Sequence, residues 1–136
     1  MNRHGVRVLV VGAHAVAFHA KPRFTKDLDL LVEPSTDNAQ RLLAALADFG
    51  FGSVGLTVGD FDRPGRVVQL GVAPARVDFA TSIDGVTFEE AWQGRVVGHF
   101  GSQSVAYIGR AELLRNKEAA GRPQDLADLS WLRTES

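Results

Sequence analysis

The sequence contains no cysteine, which excludes structural disulfides and thiolate-bound metal sites. It also lacks a strong excess of either charge, since 15 Lys and Arg residues accompany 16 Asp and Glu residues for a formal net charge of −1. This balance excludes a broadly basic surface that coats nucleic acid, although a local patch stays compatible with it. The apolar run at 6–11 is far too short to cross a bilayer, and no signal-peptide pattern opens the chain. We expect a cytoplasmic protein with no membrane contact.

Internal repeats, low-complexity tracts and linkers are absent as well. The chain of 136 residues is long enough for one domain, 1–136, with a real core. Patterns typical of strands occur at 6–11, 27–32, 66–70, 76–80, 95–100 and 104–108. Patterns typical of helices occur at 13–20, 37–49, 87–92, 111–120 and 123–132. They predict an α+β fold, with a mixed central β-sheet flanked by helices and a helical C-terminus.

Several residues predict where these helices begin and end. The segment Pro34-Ser35-Thr36 supplies a turn and an N-cap for the second helix, and Gly50 is the expected stop at its C-terminus. Pro123 is suited to the first position of the last helix, because an N–H group at that position makes no hydrogen bond within the helix and proline lacks it at no cost. Phe18 is expected in the core.

Two aspartates, Asp27 and Asp29, lie one residue apart in the apolar strand 27–32. Side chains alternate in a strand, so the two carboxylates share one face, with backbones roughly 7 Å apart. Leu28 and Leu30 then point the other way, into a core. Carboxylates forced onto one face repel each other, and a divalent cation is the commonest way to make such a pair tolerable. Such a cation is well placed to hold a triphosphate.

Asp78 is the third acid of interest, because it stands on one face of the otherwise apolar strand 76–80. If that strand pairs beside 27–32, Asp78 lies about 5 Å from one of the two aspartates. Three clustered carboxylates favour Mg²⁺ or Mn²⁺ over zinc. The alternative is that Asp27 is a strand-edge cap and Asp78 a solvated residue on a half-exposed sheet.

Gly12 ends the first strand and opens a helix, so the backbone N–H groups of the turn can face an anion with the helix dipole behind them. The alternative is a plain turn that needs glycine for its backbone angles. In the basic loop, Arg23, Thr25 and Lys26 can meet phosphate oxygens, or the loop is simply solvated. Lys117 either contacts a nucleotide bound at this site or forms an ion pair with Asp125.

Four segments carry a resemblance to a known family: VVGAHAVAFH at 10–19, PRFTKDLD at 22–29, RVDFATSI at 76–83 and NKEAAGRPQDL at 116–126. Together they extend over most of the chain. They resemble the nucleotidyltransferase superfamily that shares the catalytic fold of polymerase beta. More narrowly, the chain looks like the small stand-alone bacterial members related to abortive-infection and minimal nucleotidyltransferases.

The resemblance implies a metal-dependent transfer of a nucleoside monophosphate from an NTP to an acceptor hydroxyl, with release of pyrophosphate. It implies that Asp27 and Asp29 ligate Mg²⁺ or Mn²⁺, and that Asp78 completes the triad and assists the attacking hydroxyl. It also implies that Gly12 and Ala13 hold the nucleotide phosphates. The acceptor is left open between a small molecule, a protein hydroxyl and a tRNA end.

The sequence departs from the family pattern in two ways. Ala13 stands where the superfamily usually has a second Gly or a Ser, so a serine hydroxyl contact is lost while the backbone N–H remains. The first strand also begins about five residues into the chain, where relatives commonly carry a preceding helix. That helix is either absent or lost, and one flank of the sheet is then either exposed or covered by a partner protein or a second copy. These departures motivate an alternative, a non-catalytic binding subunit of a toxin–antitoxin-like pair.

Overall fold

Six strands and five α-helices make up the described part of the protein. The computed structural model of the chain describes residues 4–20, 27–51, 55–72, 75–100 and 103–134. The strands are β1 (Val8–Val11), β2 (Asp27–Val32), β3 (Val67–Val72), β4 (Ala75–Ala80), β5 (Val96–Phe100) and β6 (Gln103–Tyr107). The helices are α1 (Gly12–His19), α2 (Thr36–Leu46), α3 (Phe88–Gln93), α4 (Arg110–Ala120) and α5 (Pro123–Thr134). The prediction of an α+β fold with a helical C-terminus is confirmed.

The described strands form one mixed sheet in the order β3-β4-β2-β1-β6-β5. β2 runs parallel to β4 and β1 runs parallel to β6, whereas the other neighbouring strands are antiparallel. Parallel strands require a long crossover connection, and α2 and β3 lie in the segment that joins β2 to β4. This crossover places β4 beside β2 although the two strands are far apart in sequence.

Side chains of β1 and β2 alternate between two apolar clusters, one on each face of the sheet. On one face, Val10, Leu30 and Val32 pack with the buried residues of α2. On the other face, Leu9 and Leu31 pack with buried residues of α1, α4 and α5. The polar residues of β2 that share the parity of Leu31 therefore lie on the side of α1, α4 and α5.

Helix α2 begins at Thr36, one residue before the predicted start, and ends earlier than predicted. The Ser35 side chain caps it by accepting a hydrogen bond from the Asn38 backbone N–H at 3.2 Å. The α-helix stops at Leu46, and a π-helical turn, Ala47–Phe51, takes the place of the continuous α-helix predicted to residue 49. Gly50 in that turn has a φ of 93°, which a residue with a Cβ rarely adopts. Gly50, the predicted stop, therefore lies in the π-helical turn and not directly after the α-helix.

The two C-terminal helices end and begin where the sequence predicts, but the predicted burial of one aromatic residue is not observed. Gly121 ends α4 in the left-handed conformation with a φ of 64°, and α5 begins at Pro123 as predicted. Phe18 was expected in the core, but the residue is 41% exposed, and its ring stacks on that of Tyr107 with centroids 4.2 Å apart. In the described ranges, no helix combines the length and the apolar character needed to cross a bilayer.

Candidate functional site

Asp27, Asp29 and Asp78 lie on one face of two neighbouring strands. In the parallel register of β2 and β4, Asp29 aligns with Asp78, and Asp27 aligns with Arg76. Aligned residues of paired strands present their side chains to the same face. The strand pairing on which the acidic cluster depended is therefore present, and it is Asp29 that stands opposite Asp78.

The pKa of the Asp29 carboxyl is raised above its ordinary value. Burial is the largest cause, followed by the negative charge of Asp78, a hydrogen bond with the Asp78 side chain and the charge of Asp27. The positive charge of Lys117 acts in the opposite direction. A carboxyl in these surroundings is stabilised by anything that brings positive charge, whether a proton or a cation.

Arg76 supplies positive charge to this acidic cluster, and the sequence analysis missed it. Its Nη2 donates to Asp27 Oδ2 at 3.1 Å, and its Nε lies 3.3 Å from Asp78 Oδ1. The signal was present in the sequence, because Arg76 precedes Asp78 by two residues in the same strand and so shares its face. The guanidinium thus spans two of the three predicted metal ligands.

Gly12 lies directly against the Asp29 carboxylate at the start of α1. Its φ is 67°, and a Cβ added to it would lie 3.0 Å from both Cβ and Cγ of Asp29 and closer still to one carboxylate oxygen. Glycine is required here for both reasons, the backbone conformation and the close approach. The turn predicted to bind phosphate is therefore adjacent to the predicted metal ligands, with Ala13 in the first turn of the helix.

Lys117 is buried between α4 and α5, where it pairs with acids of α5. Its side chain is 8% exposed, and its Nζ lies 3.2 Å from an oxygen of Asp125 and 3.2 Å from an oxygen of Asp128. Arg122 braces the same junction through an ion pair of 2.7 Å with Asp125. The pairing with Asp125 is one of the two alternatives that the sequence offered, whereas Asp128 was not foreseen. The sequence did indicate this contact, because Asp125 and Asp128 are three residues apart and therefore lie on one side of α5.

Three predicted nucleotide-binding residues, Arg23, Thr25 and Lys26, lie outside the described residues. They precede β2 directly in the chain, and β2 begins at Asp27. Their expected role in phosphate binding stays a prediction.

The donor set of the acidic cluster fits a hard divalent cation in its chemistry. It consists of carboxylate oxygens alone, and Asp78 Oδ1 is buried and makes no hydrogen bond despite the nearby Arg76. Within the described ranges, however, no three carboxylate or imidazole groups are already gathered as a metal-binding set. At this cluster, the guanidinium of Arg76 contacts oxygens of Asp27 and Asp78 that a cation would need.

The chain matches no protein-family model, and no curated protein matches it significantly. The functional interpretation therefore depends on the geometry around Asp29, Asp78 and Gly12.

Proposed function

We propose that the chain is a nucleotidyltransferase with the superfamily's catalytic fold, which transfers a nucleoside monophosphate from an NTP to an acceptor hydroxyl. The observation that carries the proposal is the position of Gly12, at the N-terminus of α1, directly against Asp29, which in turn stands opposite Asp78. An anion on the helix N-terminus and a cation on the carboxylates would then be neighbours, as the phosphates and metal of a bound nucleotide are.

Each residue has a defined role in this reaction. The acceptor oxygen forms a bond to the α-phosphorus, the bond from the α-phosphorus to the bridging oxygen breaks, and pyrophosphate leaves. Asp27 and Asp29 hold the divalent cation, Mg²⁺ or Mn²⁺, which when bound neutralises charge on the phosphates. Asp78 completes the cation site and accepts the proton of the attacking hydroxyl, from which the proton passes to solvent.

In this proposal, some groups contact the nucleotide phosphates directly, whereas Lys117 acts only through its charge. The backbone N–H groups of Gly12 and Ala13 bind phosphate oxygens, and Arg23, Thr25 and Lys26 add side-chain contacts to them. Lys117 was expected at the nucleotide as well, but its ammonium group is buried in ion pairs with acids of α5. Its charge still reaches Asp29, so we assign it an electrostatic contribution rather than a direct contact.

The test is to identify which molecule gains a nucleotide. Purified protein is incubated with Mg²⁺ and cell lysate together with an NTP labelled either at the α-phosphorus or at the γ-phosphorus, and products are identified by mass spectrometry. Nucleotidyl transfer carries the α-label to an acceptor, whereas the γ-label leaves with pyrophosphate. No transfer of the α-label from any of the four NTPs, with a small molecule, protein or tRNA fraction as acceptor, would contradict the proposal.

The second candidate is a non-catalytic binding subunit of a toxin–antitoxin-like pair. The ion pairs of Arg76 with Asp27 and Asp78 favour it, because they neutralise the acidic cluster without a metal. Calorimetric titration with Mg²⁺ and each NTP separates the two functions. Absence of saturable binding up to millimolar nucleotide would favour the binding subunit over the enzyme.

A further inference from the structure

Arg76 is placed so that it can be exchanged for another cation. It lies on β4 in register with Asp27 and on the same face as Asp78. Its side chain is 39% exposed, and that of Asp27 is 46% exposed. The guanidinium can therefore leave the carboxylates for water without crossing either apolar cluster, which lowers the cost of its release.

The contacts that hold Arg76 are incomplete. The contact with Asp27 is a hydrogen bond of 3.1 Å, but the contact with Asp78 is an ion pair at 3.3 Å in which neither Arg76 Nε nor Asp78 Oδ1 makes a hydrogen bond. Both of those atoms are buried. A buried polar atom without a hydrogen bond is destabilising, so Asp78 Oδ1 gains from a better cation and Arg76 Nε gains from returning to water.

We infer that Arg76 is a built-in competitor for the divalent cation at Asp27, Asp29 and Asp78. It neutralises the cluster when no metal is bound, and it must release Asp27 and Asp78 before both can act as ligands. Arg76 therefore sets how tightly the protein binds its metal. This inference rests on the proposed function only in that it requires the metal site itself.

The test measures cation affinity rather than turnover. The affinity of the full chain for Mn²⁺ alone is determined by calorimetry and by the electron paramagnetic resonance of free Mn²⁺, for the wild type, Arg76→Gln and Arg76→Lys. We expect Arg76→Gln to bind Mn²⁺ about tenfold more tightly, the change that corresponds to removal of two partly exposed ion pairs. Arg76→Lys should fall between the two, because a single ammonium group cannot bridge two carboxylates as a guanidinium does.

A matched control separates competition from a general loss of positive charge. Arg115 also makes a 3.3 Å ion pair on the surface, with Glu90, and both side chains are 48% exposed. Arg115→Gln removes the same charge and should leave the Mn²⁺ affinity within about twofold of wild type. Circular dichroism reports whether each variant is folded, and Arg76→Lys serves as the test if Arg76→Gln does not fold.

The possible failures are distinguishable. Unchanged or weaker Mn²⁺ binding in a folded Arg76 variant would overturn the competition while leaving the proposed function in place. Absence of saturable Mn²⁺ binding in the wild type and in the Arg76 variants alike would overturn the metal site, and with it both the inference and the proposed enzyme.

Discussion

Asp29 is held in surroundings that disfavour its charge, and this has opposite consequences for stability and for function. Burial and the neighbouring acids raise its pKa above the ordinary value of 3.8. Because the pKa is higher in the folded state, protonation of Asp29 stabilises the fold. This stabilisation is complete below pH 3.8 and is lost as the pH rises through the pKa of the folded state. At neutral pH the ionised carboxyl therefore destabilises the metal-free protein.

For Asp29→Asn we expect higher stability and lost activity. The metal-free variant should gain about 1 kcal/mol at pH 7, an advantage that shrinks toward pH 4, measured by urea unfolding across pH. Nucleotidyl transfer should fall by more than about 100-fold, since even residues that only support a metal ligand contribute 10–100-fold. Asp48→Asn, at an exposed carboxylate paired with His4, is the control and should retain activity. An Asp29→Asn variant with normal turnover would contradict the proposed site.

Comparison of Gly12 with Gly65 tests the contact between Gly12 and Asp29, because Gly65 has a similar backbone conformation but no such contact. Both have a positive φ, 67° and 85°, but a Cβ on Gly65 would meet nothing within 4 Å, whereas one on Gly12 would overlap the Asp29 carboxylate. Gly65→Ala should cost about 1–2 kcal/mol from backbone strain alone. Gly12→Ala should cost more by at least about 1 kcal/mol and also weaken Mn²⁺ binding. Equal losses in thermal unfolding of the two variants would show that the contact with Asp29 is unimportant.

At the scale of elements, α4 and α5 are joined by a buried charge cluster. Lys117, Asp125 and Asp128 are each nearly inaccessible to solvent. Such a cluster contributes less than its attractions suggest, because all three groups lose their water, but breaking it leaves an uncompensated buried charge. The pairing holds α5 against α4 on the face of the sheet where Asp29 lies.

Replacement of Lys117 tests this junction. Lys117→Met should destabilise the protein by about 3–5 kcal/mol, because it removes the buried ammonium group that pairs with both Asp125 and Asp128. Glu118→Gln breaks an exposed pair of 2.9 Å with Arg133 and should cost less than about 1 kcal/mol. Both values come from urea unfolding at pH 7. Comparable stability of the two variants would contradict a structural role for the buried cluster.

Asp125 makes the stability of the junction between α4 and α5 depend on pH in the acidic range. The Arg122 side chain, followed by Lys117, lowers the pKa of Asp125 from its ordinary value of 3.8 to about 2. A lowered pKa stabilises the fold above pH 3.8, and the contribution of about 2 kcal/mol is lost as the pH falls from 4 to 2. Unfolding followed by circular dichroism should show this slope in the wild type and a shallower one in Asp125→Asn. Parallel slopes would contradict the pairing.

At the scale of the whole molecule, the order of the sheet assembles the site. β2 contributes Asp27 and Asp29, β4 contributes Asp78 and Arg76, and the start of α1 contributes Gly12. No one of these elements carries a complete site. A ligand that bridges them should therefore stabilise the fold as a unit.

Ligand-linked unfolding measures that stabilisation. With the complex of Mn²⁺ and an NTP, treated as one ligand, at about 100 times its dissociation constant, we expect a gain of about 2.7 kcal/mol and a rise of several degrees in Tm. EDTA should reverse the gain, and Asp29→Asn should show none. A Tm of the wild type that is insensitive to Mn²⁺ and to each NTP would speak against the site.

The sequence alone determined the features that depend on neighbours along the chain. Alternation in a strand places Asp27 and Asp29 on one face, and the cap at Ser35 and the start of α5 at Pro123 follow from local backbone chemistry. These features need no information about distant residues. The early end of α2 at Leu46 escaped prediction because helix ends depend on small local differences.

Only the tertiary structure decided which distant residues meet. Asp27 and Arg76 are separated by 49 positions in the sequence, a segment that could be folded into several sheet orders, and the parallel pairing of β2 with β4 makes the two residues partners. The contact of Gly12 with Asp29 likewise depends on how α1 docks on the sheet. The physical reason is that strand order and helix docking follow from the summed packing of both apolar clusters, which no local pattern encodes.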